Sequence, residues 1–215
     1  MDTSLHYIGL MFRRRVPGIK MDFIIQNVTG DEFLHVDIIF IPSDTNIERS
    51  KRIREVFTTF LGEHFKGFVA QEWEKRTEST HLLMVIQVTE DQYDEARRYV
   101  ADLCMAKVPY NYLDLMVCAM PKRLSGSSWV DDPPPYPIPS TVFCSQAAML
   151  MLRYALTKER VAHPLGGPLY TINSRACRPQ NLLNILRDCK CSGGGTRIDV
   201  VAFVRGGEMN EVVGQ

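Results

Sequence analysis

Six cysteines and five histidines are the side chains of this 215-residue sequence best suited to nucleophilic chemistry, and their settings separate them. A thiol attacks as its thiolate, and the free amides and positive dipole end of a helix N-terminus both lower a thiol pKa and hold an oxyanion. Cys144 has that setting. It follows a Pro-rich stretch, 125–140, and opens CSQAAMLMLRYAL, whose Ala, Leu and Met content predicts a helix buried on nearly all sides. Its sulfur is expected at a solvent-reachable rim, with its own amide as one oxyanion donor. Cys104 falls at an apolar position of a predicted helix, and Cys118 lies in the apolar run YNYLDLMVCAMP, so both read as packing. Cys177, Cys189 and Cys191 raise the question of a metal site. The Cys-x-Cys spacing is not that of a zinc knuckle and the sole late histidine, His163, lies in an unrelated loop, so neither a metal nor a cofactor is expected.

A nucleophilic thiol also needs a base. His35 sits inside FLHVDIIFI, 33–41, a run rich in branched residues that reads as a largely buried strand, and Asp37 two residues on shares its face. His6 and His163 fall in loop-like contexts, His64 follows a helix exit, and His81 opens a strand. The sequence therefore pairs Cys144 with His35.

The elements that must bring these two together follow from periodicity and punctuation. Tyr7 to Phe12 reads as a strand, Val16-Pro17-Gly18 as a turn, and Asp22 to Val28 as a second extended segment. After the histidine strand, a helix capped by Asp44 or Asn46 is predicted to carry Ile47, Ile53, Val56, Phe57 and Phe60 and to stop near Gly62, giving a helical insertion at 42–65. FVAQEW, 68–73, and HLLMVIQV, 81–88, read as adjacent strands of a hairpin. Thr89 caps the next helix, TEDQYDEARRYVADLCMAK. The stretch 125–140, SGSSWVDDPPPYPIPS, lacks the amide donors of an interior strand and cannot hold a helix, so it is a surface loop. Past Cys144 come a Gly/Pro loop around 164–168, a helix over 179–189 and a strand, IDVVAFV, with the tail GGEMNEVVGQ expected to fray.

Composition bounds the function. With 45% hydrophobic and 23% charged residues and a formal net charge of zero, the chain reads as one globular domain over 1–215. Its basic clusters, Arg13-Arg14-Arg15 and Arg49 to Arg54, are short, so no nucleic-acid partner is expected. No stretch approaches the roughly 20 apolar residues of a membrane span. The first fifteen residues lack the basic-then-apolar order of a secretion signal, and the cysteines fall singly in apolar segments, so an intracellular, cytoplasmic protein with reduced thiols is expected.

A histidine strand HVDIIF, an aromatic segment VPYNYLDL, a cysteine helix FCSQAAMLML and a following SRACRPQNLLNIL come in an order that resembles the circularly permuted papain-like families of the NlpC/P60 superfamily, over roughly residues 33 to 188. In papain the cysteine comes early and the histidine late; the permuted order is the reverse, as here. The resemblance implies an α+β fold, an antiparallel sheet or small barrel packed on a buried central helix that starts at the nucleophilic cysteine. It also implies a third polar residue on the strand next to the histidine, orienting the imidazole. Gln71 and Glu72 are the candidates, Glu72 preferred because a carboxylate stabilises an imidazolium, with Asp37 as fallback; the 42–65 insertion separates His35 from this strand by more than the family's usual short turn. Tyr110 or Tyr112 is the candidate second oxyanion donor. The implied activity is a protease or amidase cleaving an amide, peptide or isopeptide bond, with acyl transfer or lipid-ester cleavage within the same fold's range. Stand-alone permuted domains of this kind occur in large DNA viruses and in bacteria. The alternative is a non-catalytic interaction module in which DDPPPYPIP docks on an aromatic groove.

Overall fold

The computed structural model describes residues 6–18, 20–41, 55–61, 66–72, 81–111, 138–156, 165–191, 198–205 and 208–211. In chain order these form β1 (His6–Arg14), α1 (Lys20–Thr29), β2 (Phe33–Ile41), β3 (Glu55–Leu61), β4 (Lys66–Glu72), β5 (His81–Val88), α2 (Glu90–Met105), α3 (Cys144–Ala155), α4 (Gly166–Thr171), a 3-10 turn (Ser174–Ala176), α5 (Pro179–Cys191), β6 (Ile198–Arg205) and β7 (Glu208–Glu211). The class is α+β. Among the described residues seven strands make one sheet in the order β4-β3-β2-β1-β5-β6-β7, with every neighbouring pair antiparallel.

Strand alternation divides the sheet into two faces. Ile8, Leu10 and Phe12 of β1, Val36 and Ile38 of β2, and Leu82, Met84 and Ile86 of β5 point to one face, where α2, α3 and α5 cover them in a single large apolar cluster. The alternate positions, Met11, Ile39, Leu83 and Val85, form a smaller cluster on the other face with Val56. Gly9 belongs to that second face: a Cβ there would run into Ile39 Cγ1 and Cδ1, so only glycine lets the two strands pack at this point. The α3 helix is the centre of the larger cluster, with eleven of its twelve residues buried. The Thr89 cap expected for α2 is present as one half of a capping box, with Gln92 N–H donating to the Thr89 side chain and Thr89 N–H to the Gln92 side chain. Among the described residues no helix is long and apolar enough to cross a membrane.

Four sequence expectations are corrected. Asp22 to Val28, read as extended, lies in α1. The buried Asp22 and Ile25 and the half-buried Gln26 and Thr29 follow helical spacing, whereas the apolar Phe23, Ile24 and Val28 stay exposed, so hydrophobicity does not trace the inward face. Residues 55–61, read as the end of a helix, form β3. Val56 and Phe57 serve opposite faces that are both buried, which erases the period-two signal; residues 42–54 and 62–65 of the expected insertion lie outside the described residues. The β4 and β5 strands do not form a hairpin. β4 pairs with β3, from Glu55 opposite Glu72 to Leu61 opposite Lys66, and three strands separate it from β5. The tail expected to fray contributes β7, which pairs with β6 from Ala202 opposite Glu211 to Arg205 opposite Glu208. Of the Pro-rich loop, 125–137 lies outside the described residues.

Candidate active site

His35 occupies the third position of β2 and faces Asp37 along the strand, about 6.6 Å apart at two residues of rise. That span suits an imidazole and a short carboxylate side by side. His35 Nε2 lies 2.8 Å from Asp37 Oδ1 and 3.0 Å from Thr58 Oγ1 of β3. Asp37 and Thr58 are fully buried, and the His35 side chain is 11% exposed. Since a carboxylate only accepts, Nε2 carries hydrogen, and Nδ1 is the ring nitrogen left for another partner.

Cys144 is the further group that acts on the imidazole, through its charge and a side-chain hydrogen bond. The strand pairing explains how the helix reaches the ring. β1 pairs with β2 along its whole length, but β3 registers with β2 at Ile38 opposite Phe57. The Val36 N–H is accepted by the Cys144 sulfur. The N-terminus of α3 thus enters beside the edge of β2. Several contacts hold it there. Val142 N–H donates to Pro109 O at 2.9 Å, Asn111 N–H to Val142 O at 3.0 Å, and Asn111 Nδ2 to Thr141 Oγ1 at 2.9 Å, so the segment after α2 grips Thr141 and Val142 just before Cys144. Ser145 Oγ donates to Cys177 O at 2.6 Å. Farther along, Gln180 accepts from Phe33 N–H at 3.3 Å and Arg178 pairs with Asp31 at 3.1 Å, tying α5 to the start of β2.

Burial penalises both charged forms, yet the pair overrides it. Burial alone lowers the His35 pKa, but the Asp37 carboxylate, the Cys144 thiolate and hydrogen bonds to both raise it to about 9. Burial likewise raises the Cys144 thiol, and the charge on Asp37 adds to that; the His35 imidazolium, its hydrogen bond and the Val36 N–H outweigh them and lower the pKa below its ordinary value. Thiolate and imidazolium therefore stabilise each other. Cys104, under burial and the Glu55 charge, goes the other way, up to about 11. Phe143 supplies no side-chain cap, so no cap side chain occupies the first-turn amides of α3.

Of the residues singled out from sequence, Cys144 and His35 come together, while Glu72 does not join them. It sits exposed at the end of β4, opposite Glu55 and two strands away from β2. The carboxylate on the ring is the fallback, Asp37. Gln71 is half-buried on the same outlying strand. Tyr110 packs with Ile25, Leu34 and Phe143, the residue before Cys144, and Tyr112 lies outside the described residues. The sulfur expected at an open rim belongs to a residue only 2% exposed, because the β2 edge covers it. Thr58 and the Val36 amide were not foreseen. A strand assignment for 55–61 in the observed register would have set Thr58 opposite Asp37, beside the ring; nothing local marks the Val36 amide. Comparison with family models, with curated proteins and with solved structures finds no match to this chain.

Proposed function

We propose that the chain is a thiol hydrolase of the permuted papain-like kind, cleaving an amide, peptide or isopeptide bond with Cys144 as nucleophile, His35 as acid and base and Asp37 as the carboxylate behind it. One observation carries the reading: a single imidazole is shared between a buried carboxylate on Nε2 and a sulfur at a helix N-terminus. In the first step the Cys144 thiolate forms a bond to the substrate carbonyl carbon, and the carbonyl π pair moves onto oxygen. The Cys144 N–H stabilises that oxyanion. Collapse expels the leaving amine, which takes the Nδ1 proton of the imidazolium and leaves a thioester. Water then attacks the thioester, giving its proton to Nδ1, and the thiolate departs. No metal enters these steps. The imidazole side, where His35 keeps its small exposure, is the approach for the substrate.

Thiol reactivity tests the reading. Exposure alone ranks Cys104 above the buried Cys144, whereas ionisation ranks Cys144 first. With a small electrophile such as iodoacetamide near neutral pH, mass spectrometry should find Cys144 alkylated first, and His35→Ala should abolish that preference. Against a panel of peptide amides, ubiquitin-like isopeptide conjugates and acyl esters, Cys144→Ala and His35→Ala should each remove hydrolysis while circular dichroism stays unchanged. Residual turnover by a folded Cys144→Ala chain would rule the proposal out.

A further inference from the structure

Resting on the hydrolase reading, we propose that Thr58 is a positioning residue that, with Asp37, holds the neutral His35 ring as the Nε2–H tautomer, so that Nδ1 always exchanges the proton with Cys144.

Thr58 is fully buried on the sheet face that also carries Val56 and Ile39, and a hydroxyl placed there is costly unless it is bonded. Its oxygen is 3.0 Å from His35 Nε2, and its own hydrogen is directed to Thr59 O at 3.4 Å. A hydroxyl that donates to a carbonyl turns its lone pairs toward the imidazole, so it accepts from Nε2–H just as Asp37 Oδ1 does. Two acceptors on one nitrogen exclude a bare Nε2 and fix the ring plane from two strands at once. The carboxylate approaches along β2, and the hydroxyl approaches across from β3.

The charged groups around the ring leave Thr58 a directional role. Asp37 faces it from β2 and Cys144 from α3. From β1, Arg13 stands opposite His35, but its guanidinium is held by Asp22 of α1 at 2.9 Å. Thr58 brings no charge from β3. Asp37 thus supplies most of the imidazolium's stabilisation, and Thr58 supplies orientation. In the catalytic cycle the proton moves from the thiol sulfur to Nδ1 and from Nδ1 to the leaving nitrogen, with Nε2 keeping its hydrogen throughout. A ring free to turn would present Nε2 to the sulfur in part of the population and lose those turnovers.

Thr58→Val removes the hydroxyl at nearly constant volume, and Thr58→Ser keeps it. The valine variant should lower kcat by roughly 3- to 10-fold, the worth of one neutral hydrogen bond, leave KM unchanged, and shift the alkaline limb of the rate profile downward from about 9; the serine variant should restore both. Nitrogen-15 spectra of the full wild-type chain above the His35 titration should show Nε2–H alone, with Nδ1–H appearing in the valine variant. Wild-type kcat and limb in Thr58→Val, a loss that serine fails to restore, or an Nδ1–H ring in the wild type would each overturn the proposal. Should the valine variant not fold, the wild-type spectrum decides. Should no substrate be turned over by the wild type, the hydrolase reading fails separately, and the spectrum still tests Thr58.

Discussion

A buried imidazole that stays protonated to about pH 9 and a buried thiol that ionises below its ordinary value set the chemistry at the residue scale. The pH signs follow from the roles. Attack needs the thiolate, so both alkylation and hydrolysis of a good substrate should fall as pH drops through the lowered Cys144 pKa. Expulsion of the amine needs the Nδ1 proton, so hydrolysis should also fall as pH rises through about 9, while alkylation should not. Parallel rate profiles for the two reactions check this divergence. Asp37 is the largest of the influences that raise the His35 pKa, so Asp37→Asn should move the alkaline limb to lower pH and cut kcat roughly 100- to 10,000-fold. If the limb stays near 9 in that variant, Asp37 is not the partner that holds the imidazolium.

At the scale of elements, two hydrogen bonds of similar worth serve different ends. Thr89 caps α2 far from the reacting groups, and Thr89→Ala should cost about 1 kcal/mol, a Tm drop of roughly 2–4 °C, with kcat unchanged. Ser145 follows Cys144, and its hydroxyl ties the first turn of α3 to Cys177 O at 2.6 Å. Ser145→Ala should cost about 1–2 kcal/mol through the lost buried hydrogen bond and should lower kcat as well, because the turn that carries the sulfur loses an anchor. Calorimetry beside single-turnover kinetics separates the two. A kinetically silent Ser145→Ala would show that the 109–111 clasp alone positions Cys144.

At the scale of the whole molecule, the described strands form a sheet with one face given to helices and with the strand that carries His35 near the middle. β2 is flanked by β1 along its length and by β3 over part of it, and the helix N-terminus enters beside that edge. The two strands must approach closely for this, and Gly9 is where they do. Gly9→Ala would push Ile39 against Leu83 in a packed cluster, and a loss of about 1–3 kcal/mol is expected from denaturant unfolding. A tolerated alanine would mean that the second face repacks freely and does not brace β2.

Much of this was legible in residues alone. The strand 33–41, buried at nearly every position and rich in branched residues, the capped helix after Thr89 and the apolar helix opened by Cys144 carry strong local signals. So Cys144 and His35 could be named from sequence. The partners of the ring could not. Strand order depends on which edges meet, and 55–61 has apolar side chains on both faces, which suits a helix and a doubly buried strand equally. Reading it as a helix removed β3 from the sheet, put β4 beside β2 in its place, and so favoured Glu72 over Asp37 and hid Thr58. Side-chain periodicity reports burial, which is local, whereas the hydrogen-bonded neighbours of a strand are chosen by the packing of the entire sheet.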